Sequence, residues 1–304
     1  MPERRALGLA LGMGGARGFG HVGVFRALDD LGIAVDRVAG SSMGALAGAV
    51  WAAGQLGAFE DWARGLTRTN FMRYVDLRLS GGGIVAGNEI PRLLDMFGLP
   101  ERIEELERPF GAVATDLRTG RVVWFASGPL RPAVRASVSI PGVLAPVHHG
   151  GQWLVDGALS DPVPVAGCRM LGDGPVLAVD PNGFGPAGFW TPPEPAAARG
   201  RAWLGPLRAG GQAAGLGAWL GAPDAALPSG PSAPHYMDVV WASVDIVAAS
   251  VMRMRLAAAP PELMLELPLR DLGILEFDRA AEAIDAGHRA VMARAGEIRA
   301  LAGM

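Results

Sequence analysis

The sequence predicts an α/β fold of three layers, with helices on both faces of a mainly parallel central sheet. Three observations carry this expectation. Short apolar runs alternate with segments of helical spacing, glycine-rich turns fall between them, and half of the 304 residues are hydrophobic, enough for a large core.

The apolar run Ala6–Leu11 ends in glycines and reads as a buried strand. Phe19–Leu31 then places Val22, Val24, Phe25, Leu28 and Leu31 at helical spacing and stops at Gly32. Arg37–Ala39 is a second short strand, followed by a turn at Gly40–Gly44 and an alanine-rich helix to about Gln55. Further strands are expected at Gly111–Thr115, Val122–Ala126, Trp153–Val155, Val176–Val179 and Leu263–Leu267. Helices are expected at Glu89–Phe97, Pro132–Ser137, Tyr236–Leu256 and Asp278–Leu301. There is no internal repeat.

Residues 181–234 differ from the rest. They hold 11 Gly, 10 Pro and 13 Ala, with Trp190, Trp203 and Trp219 interspersed. That density of breakers predicts an irregular insertion, either a plain loop or a lid whose tryptophans anchor at a lipid surface. The expected organisation is one domain over 6–304: a motif-bearing core at 6–166, the insertion at 183–234, and a closing strand and helix at 262–301.

Composition excludes several classes. A net charge of -3 with 19% charged residues argues against global disorder and against nucleic acid as partner. One cysteine, Cys168, rules out an intramolecular disulfide and suits a reducing compartment. All 27 basic residues are Arg, and Asn occurs only at 70, 88 and 182, the mark of a GC-rich bacterial genome. Arg4 and Arg5 precede an apolar stretch, but it runs into glycines before it forms a signal-peptide core. Val38–Phe59 is uncharged yet mostly Gly, Ala and Ser, and 237–258 carries Asp238, Asp245, Arg253 and Arg255. Both read as helices of a cytoplasmic protein that meets a membrane only peripherally.

Gly40-Ser41-Ser42-Met43-Gly44 fits G-x-S-x-G between a strand and a helix, the setting of a nucleophile elbow. Ser42 would stand exposed on a strained turn, at the positive end of the following helix. A plain Gly/Ser turn is the alternative. Gly12-Met13-Gly14-Gly15-Ala16-Arg17-Gly18 leaves backbone N–H groups free to converge on an anion, either a phosphate or a tetrahedral oxyanion. Gly18-Phe19-Gly20-His21-Val22-Gly23 matches G-x-G-x-x-G, but inside a predicted helix rather than in the turn where a dinucleotide fingerprint belongs. A P-loop is excluded for want of lysine. A serine nucleophile needs a base. None of His21, His148, His149, His235 and His288 follows a strand where an α/β-hydrolase histidine would lie. Asp156 does follow one, Trp153–Val155, and precedes Gly157; a turn-capping role is its alternative.

Together these segments resemble the patatin-like phospholipase family. The resemblance rests on Leu11–Gly18 with His21-Val22-Gly23-Val24, on Gly40–Gly44, and on Asp156-Gly157-Ala158. Ala136–Gly142, Leu159–Val165, Leu272–Asp278 and Ile284–Gly287 extend it over nearly everything outside the insertion. It implies a patatin-like fold and a Ser–Asp dyad without histidine, with Ser42 as nucleophile and Asp156 as base. It also implies an oxyanion hole of backbone N–H groups in the loop Gly14, Gly15, Ala16 and Arg17. The implied reaction is hydrolysis of a lipid acyl ester through an acyl-enzyme, with neither cofactor nor metal. Met13 stands where the family usually has a glycine, and Met adopts positive φ less readily. A non-catalytic, surface-binding member and a nucleotide-binding protein are the competing readings.

Overall fold

β1 (Leu7–Leu11) is wholly apolar apart from its glycine, and all five residues are buried, as in a strand covered on both faces. The computed structural model describes residues 5–71, 83–85, 87–183, 189 and 236–304. They fall into two compact units, Met1–Gly183 with Ala248–Met304, and Phe184–Val247.

In the first unit β1 is flanked by β2 (Val35–Ser41) and, on its other side, by β9 (Val176–Asp180). β4 (Phe110–Asp116) continues the sheet beyond β2, and β10 (Leu263–Glu266) continues it beyond β9. These five strands are parallel, so their C-terminal ends share one edge. The other half runs antiparallel: β8 (Gln152–Asp156) and β5 (Val122–Phe125) pair with β4, and β7 (Val147–His149) pairs with β8. The order is β10-β9-β1-β2-β4-β8-β7, with β5 also on β4. β3 (Gly83–Val85) and β6 (Gly142–Leu144) form a separate parallel pair.

Helices flank the sheet. In chain order they are α1 (Gly20–Asp30), α2 (Met43–Ala52), α3 (Leu56–Arg64), α4 (Arg68–Phe71), α5 (Glu89–Met96), α6 (Leu130–Ser137) and α7 (Val165–Met170). α8 (Tyr236–Ala258), α9 (Ala280–Ala293) and α10 (Ala295–Leu301) follow. α1 and α9 touch through backbone: a Cβ on Gly23 would collide with the Ile284 carbonyl, and one on Gly287 with the Gly20 carbonyl. Gly23 and Gly287 therefore let the two helices pack closely, and a Cβ on Gly20 would strike Leu267 Cδ1. Phe19, Phe59, Trp62 and Phe97 form an aromatic cluster with ring centroids 5.4–6.3 Å apart.

The structure departs from the sequence expectation in identifiable places. β2 extends two residues beyond the expected strand at each end. Exposed Asp36 breaks the apolar pattern at its start, and the buried Gly40 and Ser41 continue the strand into the turn. Arg37 is buried, with Nε on Cys168 O and Nη2 on Gly174 O. The C-terminal helix is broken between α9 and α10 at Arg294, whose φ of -115° is not helical. A 3-10 turn, Gly15–Phe19, precedes α1. His148 and His149 lie on β7, a strand that the sequence pattern did not predict.

In the second unit the described residues are Phe189 and the start of α8, where Ser243 Oγ donates to Val239 O at 2.7 Å. Residues 190–235, with Trp190, Trp203, Trp219 and His235, lie outside the described residues, and with them most of the expected insertion. Among the described residues no helix is long and apolar enough to cross a membrane.

Candidate active site

Register brings the site together. Ser41 at the end of β2 lies opposite Val113 of β4, and the next residue of β4, Ala114, lies opposite Asp156 of β8. The residue after Ser41 thus meets a carboxylate arriving from the antiparallel side. Ser42 Oγ donates to Asp156 Oδ2 at 2.7 Å, with both residues buried.

Ser42 has φ 55° and ψ -124°, and is the one non-glycine residue at positive φ among the described residues. Such backbone holds on the order of 1–3 kcal/mol of strain, which surrounding structure must enforce. Here the Ser42 N–H donates to Ser137 Oγ at 2.9 Å, and bare glycines allow a crowded passage. A Cβ on Gly44 would strike the Leu11 carbonyl, and a Cβ on Gly40 would strike Gly44 itself. Ser42 occupies the N-cap of α2, so the helix directs its positive end at the hydroxyl.

Asp156 Oδ1 accepts the Ala158 N–H at 2.8 Å, capping the 3-10 turn Gly157–Leu159. Asp156 thus caps a turn with one carboxylate oxygen and accepts the Ser42 hydroxyl with the other. Burial pushes the Asp156 carboxyl up to about 7; the bonds from Ala158 and Ser42 oppose this without cancelling it. Its backbone is held as well. The Asp156 N–H donates to Ser139 O at 3.0 Å, and Thr115 Oγ1 donates to Asp156 O at 2.8 Å. With that proton used, the 2.8 Å Thr115–Ser160 contact must run from Ser160 to Thr115.

No described histidine bonds to Ser42. His21 is fully buried, with Nε2 2.8 Å from Gly12 O, and burial lowers its pKa to about 4. It is neutral and donates to that carbonyl. His148 and His149 lie beside the rings of Trp153 and Phe125, and His288 meets Asp30.

The glycine loop follows β1 on the same sheet edge. Gly12 N–H donates to Val179 O and Met13 N–H to Pro162 O. The Ala16 N–H is taken by Ile274 O at 2.8 Å, and that of Arg17 by Gly14 O at 3.1 Å. Ala16 and Arg17 thus anchor the loop with the amides that sequence reading had assigned to an oxyanion. The N–H groups of Gly14 and Gly15 bond to no acceptor among the described residues. Arg17 reaches out to Leu272 O at 2.6 Å and to Asn182 Oδ1 at 3.1 Å. The positive φ in this loop falls on Gly15, at 53°; Met13 lies outside that region, so its side chain is compatible with the turn. Ser137, Thr115 and Asn182 were not singled out from sequence. Of these, Asn182 left a trace, being one of three asparagines and placed just past a strand.

The family profile described as "Patatin-like phospholipase" matches residues 9–168. An uncharacterized NTE family protein of Mycobacterium tuberculosis is 38% identical over 92% of this chain and 88% of its own. A lysophospholipase of Emericella nidulans is 33% identical over 62% of this chain, which corresponds to 13% of that longer protein. The solved structure of VipD from Legionella pneumophila aligns at TM-score 0.46 and 14% identity, over 97% of this chain and 67% of its own.

Proposed function

The chain belongs to the patatin-like phospholipase family and is a lipid ester hydrolase, and we propose that it works through a Ser42–Asp156 dyad and a covalent acyl-enzyme. The observation that carries this reading is the 2.7 Å bond from Ser42 Oγ to Asp156 Oδ2, made on a strained turn at a helix N-terminus.

Asp156 Oδ2 takes the Ser42 proton as Oγ attacks the acyl carbonyl carbon. The carbonyl π electrons move onto oxygen, and the N–H groups of Gly14 and Gly15 meet the new oxyanion. Collapse expels the alkoxide of the lipid alcohol, which takes the proton from Asp156 and leaves an acyl ester on Ser42. A water then gives a proton to Asp156 and adds to that ester. Collapse returns the proton to Ser42 Oγ and frees the fatty acid. A carboxylate is an apt base here because burial has lifted it to about 7, close to the pH at which it must work.

The substrate sits in a lipid surface, and we extend the proposal to a peripheral encounter with one. β8 runs outward from Asp156 beyond the site edge, since Leu154 pairs with Asp116. There Trp153 and Leu117 are 55% and 57% exposed, joined by a 2.8 Å bond from Leu117 N–H to Trp153 O. An exposed Trp beside Leu117 and Arg118 suits a headgroup boundary.

Hydrolysis of p-nitrophenyl esters, phospholipids and lysophospholipids by wild type, Ser42→Ala and Asp156→Ala tests the reading. Wild type alone should turn over an ester. Equal turnover by either variant would defeat the proposal.

A further inference from the structure

We propose that Asn182 is a positioning residue for this reaction: it sets the direction of the Gly14 N–H, and Asp180 holds it in place. The inference rests on the serine hydrolase reading above. In a trans peptide the C=O and the following N–H point to opposite sides. Asn182 Nδ2 donates to Met13 O at 2.8 Å. The Gly14 N–H therefore faces away from Asn182 and meets no acceptor among the described residues. The next peptide obeys the same rule, because Gly14 O is turned to the Arg17 N–H and leaves the Gly15 N–H on its opposite side.

The sheet explains why position 182 reaches position 13. Val179 pairs with Leu11, so the chains leaving β9 and β1 run side by side, and Asn182 comes level with the loop. Asn182 is buried, and both polar atoms of its side chain are used. Its N–H donates to Asp180 Oδ1 at 2.9 Å, its Nδ2 also reaches Asp180 Oδ1 at 3.3 Å, and its Oδ1 accepts from Arg17. The amide cannot be reversed: a flip would set NH2 against a guanidinium and C=O against a carbonyl. Without the Asn182 donor, the Met13–Gly14 peptide is free to rotate and present a carbonyl to the oxyanion.

Asn182→Asp removes the donor to Met13 while keeping an acceptor for Arg17, and Asn182→Ala removes both. Each is assayed against p-nitrophenyl butyrate at pH 8 and against an alkyl trifluoromethyl ketone, which adds to a serine hydroxyl as a tetrahedral oxyanion. We expect kcat to fall roughly 10–100-fold with KM within about twofold, as for a weakened oxyanion donor. The ketone Ki should rise by the factor lost in kcat/KM. A purely structural role would not link those two quantities. Should Asn182→Ala fail to fold, Asn182→Asp and Asn182→Ser decide. Variants that keep kcat within about twofold, or change KM alone, or leave Ki unmoved overturn the inference while the hydrolase reading stands. A wild type that neither hydrolyses the ester nor binds the ketone defeats both.

Discussion

Replacing Asp156 with Asn should make the protein inactive and, at alkaline pH, more stable. In the fold the Asp156 carboxyl titrates at about 7 against an ordinary 3.8, with burial as the leading cause. The unfolded chain releases this proton near 3.8, whereas the folded chain keeps it until about 7. Folded stability therefore falls as pH rises through that window, and the full penalty is present above about 7. The gap corresponds to roughly 4 kcal/mol, an upper figure for a buried group. Asn is neutral at every pH and keeps both contacts, with Oδ1 for the Ala158 N–H and NH2 for Ser42 Oγ. Urea unfolding at pH 4 and pH 8.5 measures the effect. The stability advantage of Asp156→Asn should grow by about 2–4 kcal/mol between them, while ester hydrolysis falls on the order of 10²–10⁴-fold. A constant difference between the two proteins across pH, or activity kept within about tenfold of wild type, would refute the reasoning.

Other outcomes follow from the same geometry. Wild-type kcat/KM should rise with pH through about 7, since Asp156 must be ionised to accept the Ser42 proton; a profile flat from pH 5 to 9 would argue against it. Ser42→Gly should unfold at higher urea than Ser42→Ala by on the order of 1 kcal/mol, because only Gly sits at φ 55° without strain. Leu117→Asp with Trp153→Ala should weaken sedimentation with anionic vesicles at least about tenfold and leave p-nitrophenyl acetate hydrolysis unchanged; equal sedimentation would remove these residues from the lipid contact.

Much of this was legible in the chain because it is local. The Ser42 turn shows itself through Gly40 and Gly44, the glycine loop through its position after an apolar strand, and Asp156 through the strand it ends. What no local pattern records is the meeting of Ser42 with Asp156. That depends on β8 running antiparallel to β4, and a five-residue strand carries no mark of its direction. β3, β6 and β7 went unread because three residues are too few for a period. The distribution of loop amides was equally hidden: Ile274 and Asn182, which occupy the amide of Ala16 and the carbonyl of Met13, come from segments far along the chain. Sequence could place four residues in the loop, but only tertiary contacts separate those that brace it from those left open.

Covalent capture of the nucleophile tests the central claim most directly. Wild type and the Ser42→Ala and Asp156→Asn variants are treated with a fluorophosphonate, then weighed intact and mapped by peptide mass spectrometry. The account predicts one phosphonyl group on wild type, carried by Ser42, with none on Ser42→Ala and far slower labelling of Asp156→Asn. Labelling of Ser42→Ala at the wild-type rate, or a group mapped to any other residue, would contradict it.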